Sequence, residues 1–393
     1  MSALYPDCDP YGIADRLTEA ERAPILRLRT VLENEITPLV AEYWEKGEFP
    51  YQIAPSLYGL NLMTPDEIEG APRSLYHGFR IFELARTDAS MATFYTAQAG
   101  LFRTTCRVGA SPEQFAELDP KITSFETTGV FCLTEPEHGS DIAGGLATAA
   151  EREGDEWIIN GAKRWIGGAF TADYLAVLAR DVADGQVKAF LVDREAPGVT
   201  LEKIHGKTAL RMMQNADITL ENVRVPEAQR LQNCNSFKDV AAMLRVMRSD
   251  VAWIATGIQA GAYEAALRYV RSREQFGKSL GSFQLVQEKL ATMLSDLTAM
   301  QLMCTRMAHL AENDQLTDAM ASMVKMFTSR KALDMCRTAR DMLAGNGILL
   351  ENHIGRHLTD MEVVSTYEGT DSMQALIVGR EITGISAFTR KRK

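Results

Sequence analysis

The stretch TGVFCLTEPEHGSDIAGG, residues 128–145, marks the point where the chain changes character. Upstream of it, apolar residues recur at three- and four-residue spacing. RAPILRLRTVLENEITPLVAEYW and LYHGFRIFELARTDASMATFYTAQAGLF both carry this pattern, which predicts amphipathic helices. The second run is rich in small residues, which allow helices to approach closely. Downstream of it, short apolar runs alternate with turn signals. WIINGAKRWIG, YLAVLAR, KAFLVDR, VTLEKI and DITLENVRV read as strands, and the Asn160-Gly161 pair reads as a hairpin turn. After about Cys234 the helical spacing returns in three long runs. The expectation is an α+β multidomain chain. It has an N-terminal helical domain over 1–128, a central β-sandwich or barrel over 129–234, and a C-terminal four-helix bundle over 235–393. A crevice between such domains is a natural ligand site.

Composition narrows the function. The chain has 393 residues and a formal charge of −10, which argues against nucleic acid as the main partner. No apolar run is long enough to span a bilayer. The acidic, proline-broken start does not read as a secretory signal. The C-terminal FTRKRK is not a peroxisomal address. Six scattered cysteines without a CxxC pair suit reduced thiols and a cytoplasmic location. His138 and His353 have no second ligand at helical spacing, so no metal site is expected.

Four segments could carry chemistry, and each has a plain alternative. In the 131–145 loop, backbone N–H groups and hydroxyls at Thr134, Gly139 and Ser140 suit a polar ring or a phosphate. An ordinary strand exit would look the same. In RSREQFGKSLGSFQLVQ (271–287), basic residues gather around a Phe-Gly break. That suits a phosphate, and equally a helix C-terminus. In DMLAGNGILLENH (341–353), Gly345 and Gly347 suit left-handed capping or a ligand on bare backbone. In STYEGTDSMQALIVGREITG (365–384), Glu368 is either an acid near a helix start or a base strengthened by apolar surroundings.

In this order and spacing, the TEP-x-x-GSD, R-x-x-FG, GNG and YEGT segments resemble the acyl-CoA dehydrogenase family. The resemblance spans nearly the whole chain. It is nearest the branch of glutaryl-CoA dehydrogenase and the plant short-chain acyl-CoA oxidase, whose flavour ARDMLAGNGI and GREITGISAF share. It implies FAD as cofactor and Glu368 as the base that removes the α-proton of an acyl-CoA. It places flavin contacts on Phe131, Leu133, Thr134, Gly139 and Ser140, with Trp165, Ile166 and Gly167 along the ring. Arg273, Phe276 and Gln284 match residues that hold the FAD diphosphate and adenosine of a neighbouring subunit. Asp341, Gly345 and Thr370 match further FAD contacts. Ser140 and Arg248 match positions that bind the CoA portion.

Two departures shape the expected activity. The family usually has Thr after Trp-Ile, whereas this chain has Gly167, as does the plant oxidase. The glutaryl-CoA enzyme carries an Arg for its substrate's distal carboxylate. Ala92 stands at the matching place, and no basic residue follows Arg86 in that stretch. A buried carboxylate would lack a partner there. The expected reaction is therefore α,β-dehydrogenation of a short, non-dicarboxylic acyl-CoA in fatty acid metabolism. The electron acceptor would be an electron-transfer flavoprotein. The alternatives are an oxidase using O2 and a CoA-ester-binding flavoprotein that has lost dehydrogenation. A homotetramer or homodimer follows from the shared cofactor site.

Overall fold

The computed structural model describes residues 3–387; the basic run 388–393 lies outside them. Seven helices come first: α1 (Glu19–Val31), α2 (Thr37–Lys46), α3 (Ala54–Tyr58), α4 (Ser74–Thr87), α5 (Ala89–Thr96), α6 (Arg103–Gly109) and α7 (Pro112–Thr123). Local chemistry sets their starts. Thr18 and Glu21 form a capping box at α1, and Ser111 and Gln114 form another at α7. Each satisfies two backbone groups that a helix start otherwise leaves open. Asp88 caps α5, accepting from the N–H of Ser90 at 2.8 Å and of Met91 at 3.2 Å. Between α5 and α6 the chain makes a π-helical turn over Ala97–Phe102.

The central region forms one mixed seven-stranded sheet. Its strands are β1 (Gly129–Cys132), β2 (Ala149–Glu153), β3 (Glu156–Gly167), β4 (Tyr174–Asp181), β5 (Val187–Asp193), β6 (Val199–Lys203) and β7 (Asn215–Pro226), with the short helix α8 (Ile142–Gly145) after β1. The sheet runs β1-β4-β2-β3-β7-β6, and β5 pairs with β4. The expected hairpin at Asn160-Gly161 is not there. β3 passes straight through this pair, and the β2–β3 turn lies at Gly154-Asp155. Asn160 and Gly161 instead make a bulge against β7. A Cβ on Gly161 would come within 2.6 Å of the Thr148 hydroxyl, so the glycine serves close approach rather than reversal.

The C-terminal region is helical again. It comprises α9 (Phe237–Ser272), α10 (Gln284–Glu312), α11 (Asp318–Met342), α12 (Ile354–Val364) and α13 (Asp371–Thr383). The 36-residue α9 lies against α4 of the first region. Gly257 and Gly261 make this approach possible. A Cβ at either would fall 2.4 Å from the Phe82 carbonyl oxygen or 2.2 Å from that of Arg86. The helical regions share one apolar core, part of the sheet has its own, and a third joins the sheet to α6, α7 and α9. Pinning the two helical regions together is a fully buried ion pair of Asp88 with Arg356 on α12.

Candidate active site

The turn between α12 and α13 carries Tyr367, Glu368 and Gly369. Glu368 has φ 54° and Gly369 has φ 87°. A non-glycine residue in the left-handed region costs on the order of 1–3 kcal/mol and persists only where neighbours hold it. The holding groups are visible. The Gln374 amide donates to the Glu368 carbonyl at 3.0 Å and to the Gly369 carbonyl at 2.9 Å. The Lys325 ammonium, from α11, donates to the carbonyls of Tyr367 and Gly369. Thr370 caps α13, its hydroxyl accepting from the Met373 N–H at 3.3 Å.

This turn leaves one oxygen of Glu368, Oε2, buried without a hydrogen-bond partner, while the residue as a whole is half-buried. Burial pushes its carboxyl up from the ordinary range, against the pull of Lys325 and Arg248, and Asp250 adds to the rise. Such a group is a stronger base than a free carboxylate and stays poised to take a proton. Arg248, on α9, has only 11% of its side-chain surface exposed, and its nearest acid is Asp318 at 3.8 Å. Two residues further along α9, Asp250 accepts from the His77 ring at 2.8 Å.

The sheet offers a second surface. Trp165, two residues before the end of β3, has φ 67° and 51% of its surface exposed, an unusual cost for an indole unless something flat covers it. Arg164 stands 5.2 Å over its ring. Ile166 is buried, and the space a Cβ on Gly167 would need is taken by the tip of Met213 at 2.5 Å and the Asn215 side-chain amide at 3.3 Å. The preceding loop is rigidly anchored. The fully buried Lys163 pairs with Glu135 at 2.8 Å, and Glu135 also accepts from the N–H of Ala147 at 2.6 Å and of Thr148 at 2.9 Å. Thr134 is half-buried, and Gly139 and Ser140 are exposed with open space beside Gly139. Phe131 and Leu133 turn their side chains into the core with Ile142 and Leu146. Only their backbone can reach a ligand.

The remaining candidates gather elsewhere. After Ser272 the chain makes a minimal hairpin, β8 (Glu274–Gln275) and β9 (Lys278–Ser279), with Phe276 at its tip and 93% exposed. Arg273 precedes this hairpin and Gln284 opens α10 just after it. Asp341, at the end of α11, pairs with Lys289 of α10 at 2.6 Å. The left-handed residue after α11 is Ala344, not a glycine. Gly345 faces open space, whereas a Cβ on Gly347 would strike the Arg340 carbonyl oxygen at 2.3 Å. The capping reading of these glycines is thus replaced by open backbone at one and close packing at the other. Asp341 lies sixteen residues beyond Lys325 on the same helix, about 24 Å at 1.5 Å per residue. The candidates therefore form two separate groups.

Sequence reading missed Lys325, Glu135 with Lys163, and the His77–Asp250 contact. Lys325 had a signal: a charge on the inward stripe of α11, in register with Ala321, Ser329 and Ala332. His138 contacts Asp141 at 2.9 Å and His353 contacts Arg356 at 2.7 Å. All six cysteines are buried and none forms a disulfide. No helix of the described residues is long and apolar enough to cross a membrane.

Comparison with known proteins fits this arrangement. The N-terminal, middle and C-terminal domains of acyl-CoA dehydrogenases match residues 18–126, 130–223 and 237–383. The human mitochondrial short-chain specific acyl-CoA dehydrogenase is 31% identical over 92% of this chain and 90% of its own length. The structure of a glutaryl-CoA dehydrogenase from Mycobacterium smegmatis is 33% identical. It aligns with a TM-score of 0.90 over 96% of this chain and 98% of its own. That of butyryl-CoA dehydrogenase from Megasphaera elsdenii is 26% identical, with a TM-score of 0.88 over 93% of this chain and 98% of its own. Fold and relatives together make the protein an oxidoreductase. It belongs to the acyl-CoA dehydrogenase family.

Proposed function

We propose that the protein is a FAD-dependent dehydrogenase of short, non-dicarboxylic acyl-CoA thioesters, with Glu368 as the base. The observation that carries this reading is the unpartnered, buried Oε2 of Glu368 on a turn fixed from two helices. The residues present fit the cofactor. Trp165 offers an exposed flat face, and the backbone is open at Gly139 and Gly345. Thr134, Gly139, Ser140, Trp165, Ile166, Gly167 and Thr370, with the backbone of Phe131 and Leu133, would hold the flavin end. When bound, FAD accepts the electrons of the reaction. Arg273, Phe276, Gln284, Asp341 and Gly345, a helix length away, would serve the nucleotide end of a second subunit's cofactor. That reading supports a homodimer or homotetramer. It also supports domain limits at 1–128, 129–234 and 235–393.

Glu368 takes the α-proton, and hydrogen bonds from backbone N–H groups stabilise the charge that grows on the thioester oxygen. Ser140 and Arg248 bind the CoA portion. Ala92 is fully buried, and Arg86 is already engaged by Glu83 and Glu264, at 2.6 Å each. Neither can meet a distal carboxylate, which favours a neutral acyl chain. An electron-transfer flavoprotein is the proposed acceptor. Gly167 favours O2 as the second reading, because the hydroxyl of the usual Thr is missing there. The test is anaerobic bleaching of the holoenzyme by butyryl-CoA. It should be complete in wild type and lost in Glu368→Gln, with glutaryl-CoA at least about 100-fold slower, the scale set by an unpartnered buried charge. Equal bleaching by the Gln variant would overturn the base assignment.

A further inference from the structure

Lys325 is fully buried on α11. A lysine is seldom placed there unless its charge and its donors are both used. Its donors go to the carbonyls of Tyr367 and Gly369, the residues immediately before and after Glu368. Together with the Gln374 amide on Glu368 and Gly369, three consecutive carbonyls of the turn are bound by two side chains from two helices. Among the described residues no other side chain of α11 bonds this turn's backbone, and the turn itself is left-handed at Glu368 and Gly369.

The charge is used as well. Burial pulls the Lys325 ammonium down to about 7 against the opposing pull of Glu368. Lys325 is in turn the strongest influence holding the Glu368 carboxyl down, ahead of Arg248. The other charged groups in reach are Asp371 at the start of α13, which favours the ammonium, and Asp250 of α9, which opposes ionisation of Glu368.

We propose that Lys325 is a positioning residue for the base: it fixes the turn that presents Glu368 and sets the pH range over which Glu368 is ionised. This rests on the reading of Glu368 as the base. Both hydrogen bonds of the Lys325 ammonium go to that turn, so it acts on the reaction through the position and the ionisation of Glu368.

Three substitutions in the holoenzyme separate the two effects. Lys325→Gln keeps donors without charge, Lys325→Met keeps neither, and Lys325→Arg keeps the charge. Anaerobic flavin reduction by butyryl-CoA is followed against pH, with flavin content and thermal midpoint measured in parallel. Removing the cation raises the Glu368 pKa, so the acid limb of kcat/KM should move up by at least about one pH unit in the Gln and Met variants. It should stay at the wild-type position in Lys325→Arg. The Met variant should also lose kcat about tenfold or more with KM within about twofold, since the misplaced group is one the transition state needs. An acid limb in Lys325→Gln that coincides with wild type, in protein with full flavin content, would overturn the proposal. So would failure of the Gln variant to fold, because Lys325 would then serve stability alone. Failure of the underlying reading looks different: Glu368→Gln would bleach as wild type does, whatever Lys325 shows.

Discussion

Replacing Asp88 by Asn tests how the two helical regions are joined. Asp88 and Arg356 are both fully buried and paired across the interface. Arg356 has only His353, at 2.7 Å, as a further side-chain partner, and its Nε has none. Burial pushes the Asp88 carboxyl up, and the pull of Arg356 and two backbone N–H groups does not fully offset it. The pair therefore stands close to break-even against solvation. Asn caps a helix as well as Asp does, so the substitution leaves the start of α5 intact. What it leaves behind is an uncompensated guanidinium, at a cost of about 3–5 kcal/mol. That is a large share of a typical folding stability of about 5–15 kcal/mol. Removing both charges, as Asp88→Asn with Arg356→Met, should recover most of the loss, a coupling of about 2 kcal/mol or more. Urea unfolding of the holoenzyme followed by circular dichroism reads both, with the slope unchanged and only the midpoint moving. A single substitution costing under about 1 kcal/mol would refute the reasoning, because no surface pair costs much more than that. A double variant no better than the single one would refute it as well.

Three further outcomes follow from the site. The wild-type acid limb of flavin reduction should lie above the ordinary carboxylate range, because burial raises Glu368 and the base works only once pH has risen through that folded value; a limb at the pKa of a free glutamate would contradict this. Glu135→Ala should leave the buried Lys163 without its carboxylate, holding only the Leu133 carbonyl, so the purified protein should carry clearly less flavin, measured by its absorbance ratio. Gly167→Ser should fold, since a Cβ there meets side-chain atoms, the flexible end of Met213 and the Asn215 amide at 3.3 Å, and no backbone, and it should slow reoxidation of the reduced flavin in air at least about threefold if the bare glycine admits oxygen; unchanged stopped-flow traces would remove Gly167 from that role.

Much of the architecture could be read from spacing alone, because the periods of helix and strand are local properties. The switch near Thr128 and the return to helix after Cys234 both appear as element changes in the structure. The Asn160-Gly161 pair misled because a hairpin and a bulge ask for the same residues; only the long-range partner, Thr148, distinguishes them. At Gly345 and Gly347 a left-handed cap and a ligand on bare backbone ask for the same residue, and the close packing of Gly347 on the Arg340 carbonyl has no local signature. The neighbours of Glu368 were harder still. Lys325 comes from α11 and Arg248 and Asp250 from α9, both far away in sequence, and nothing local says that these two helices converge on one turn. Even Glu368 owed its prominence to the company of distant segments, not to its own surroundings in the chain.

Helix α11 grips the Glu368 turn near one end and carries Asp341 at the other. Each residue of an α-helix turns the next by about 100° and advances it about 1.5 Å. Insertion or deletion of one residue between Lys325 and Asp341 would swing one end away from its partner even if every side chain were kept. The segment between them is thus a gauge of fixed phase. It can exchange its outward residues freely while its residue count stays locked.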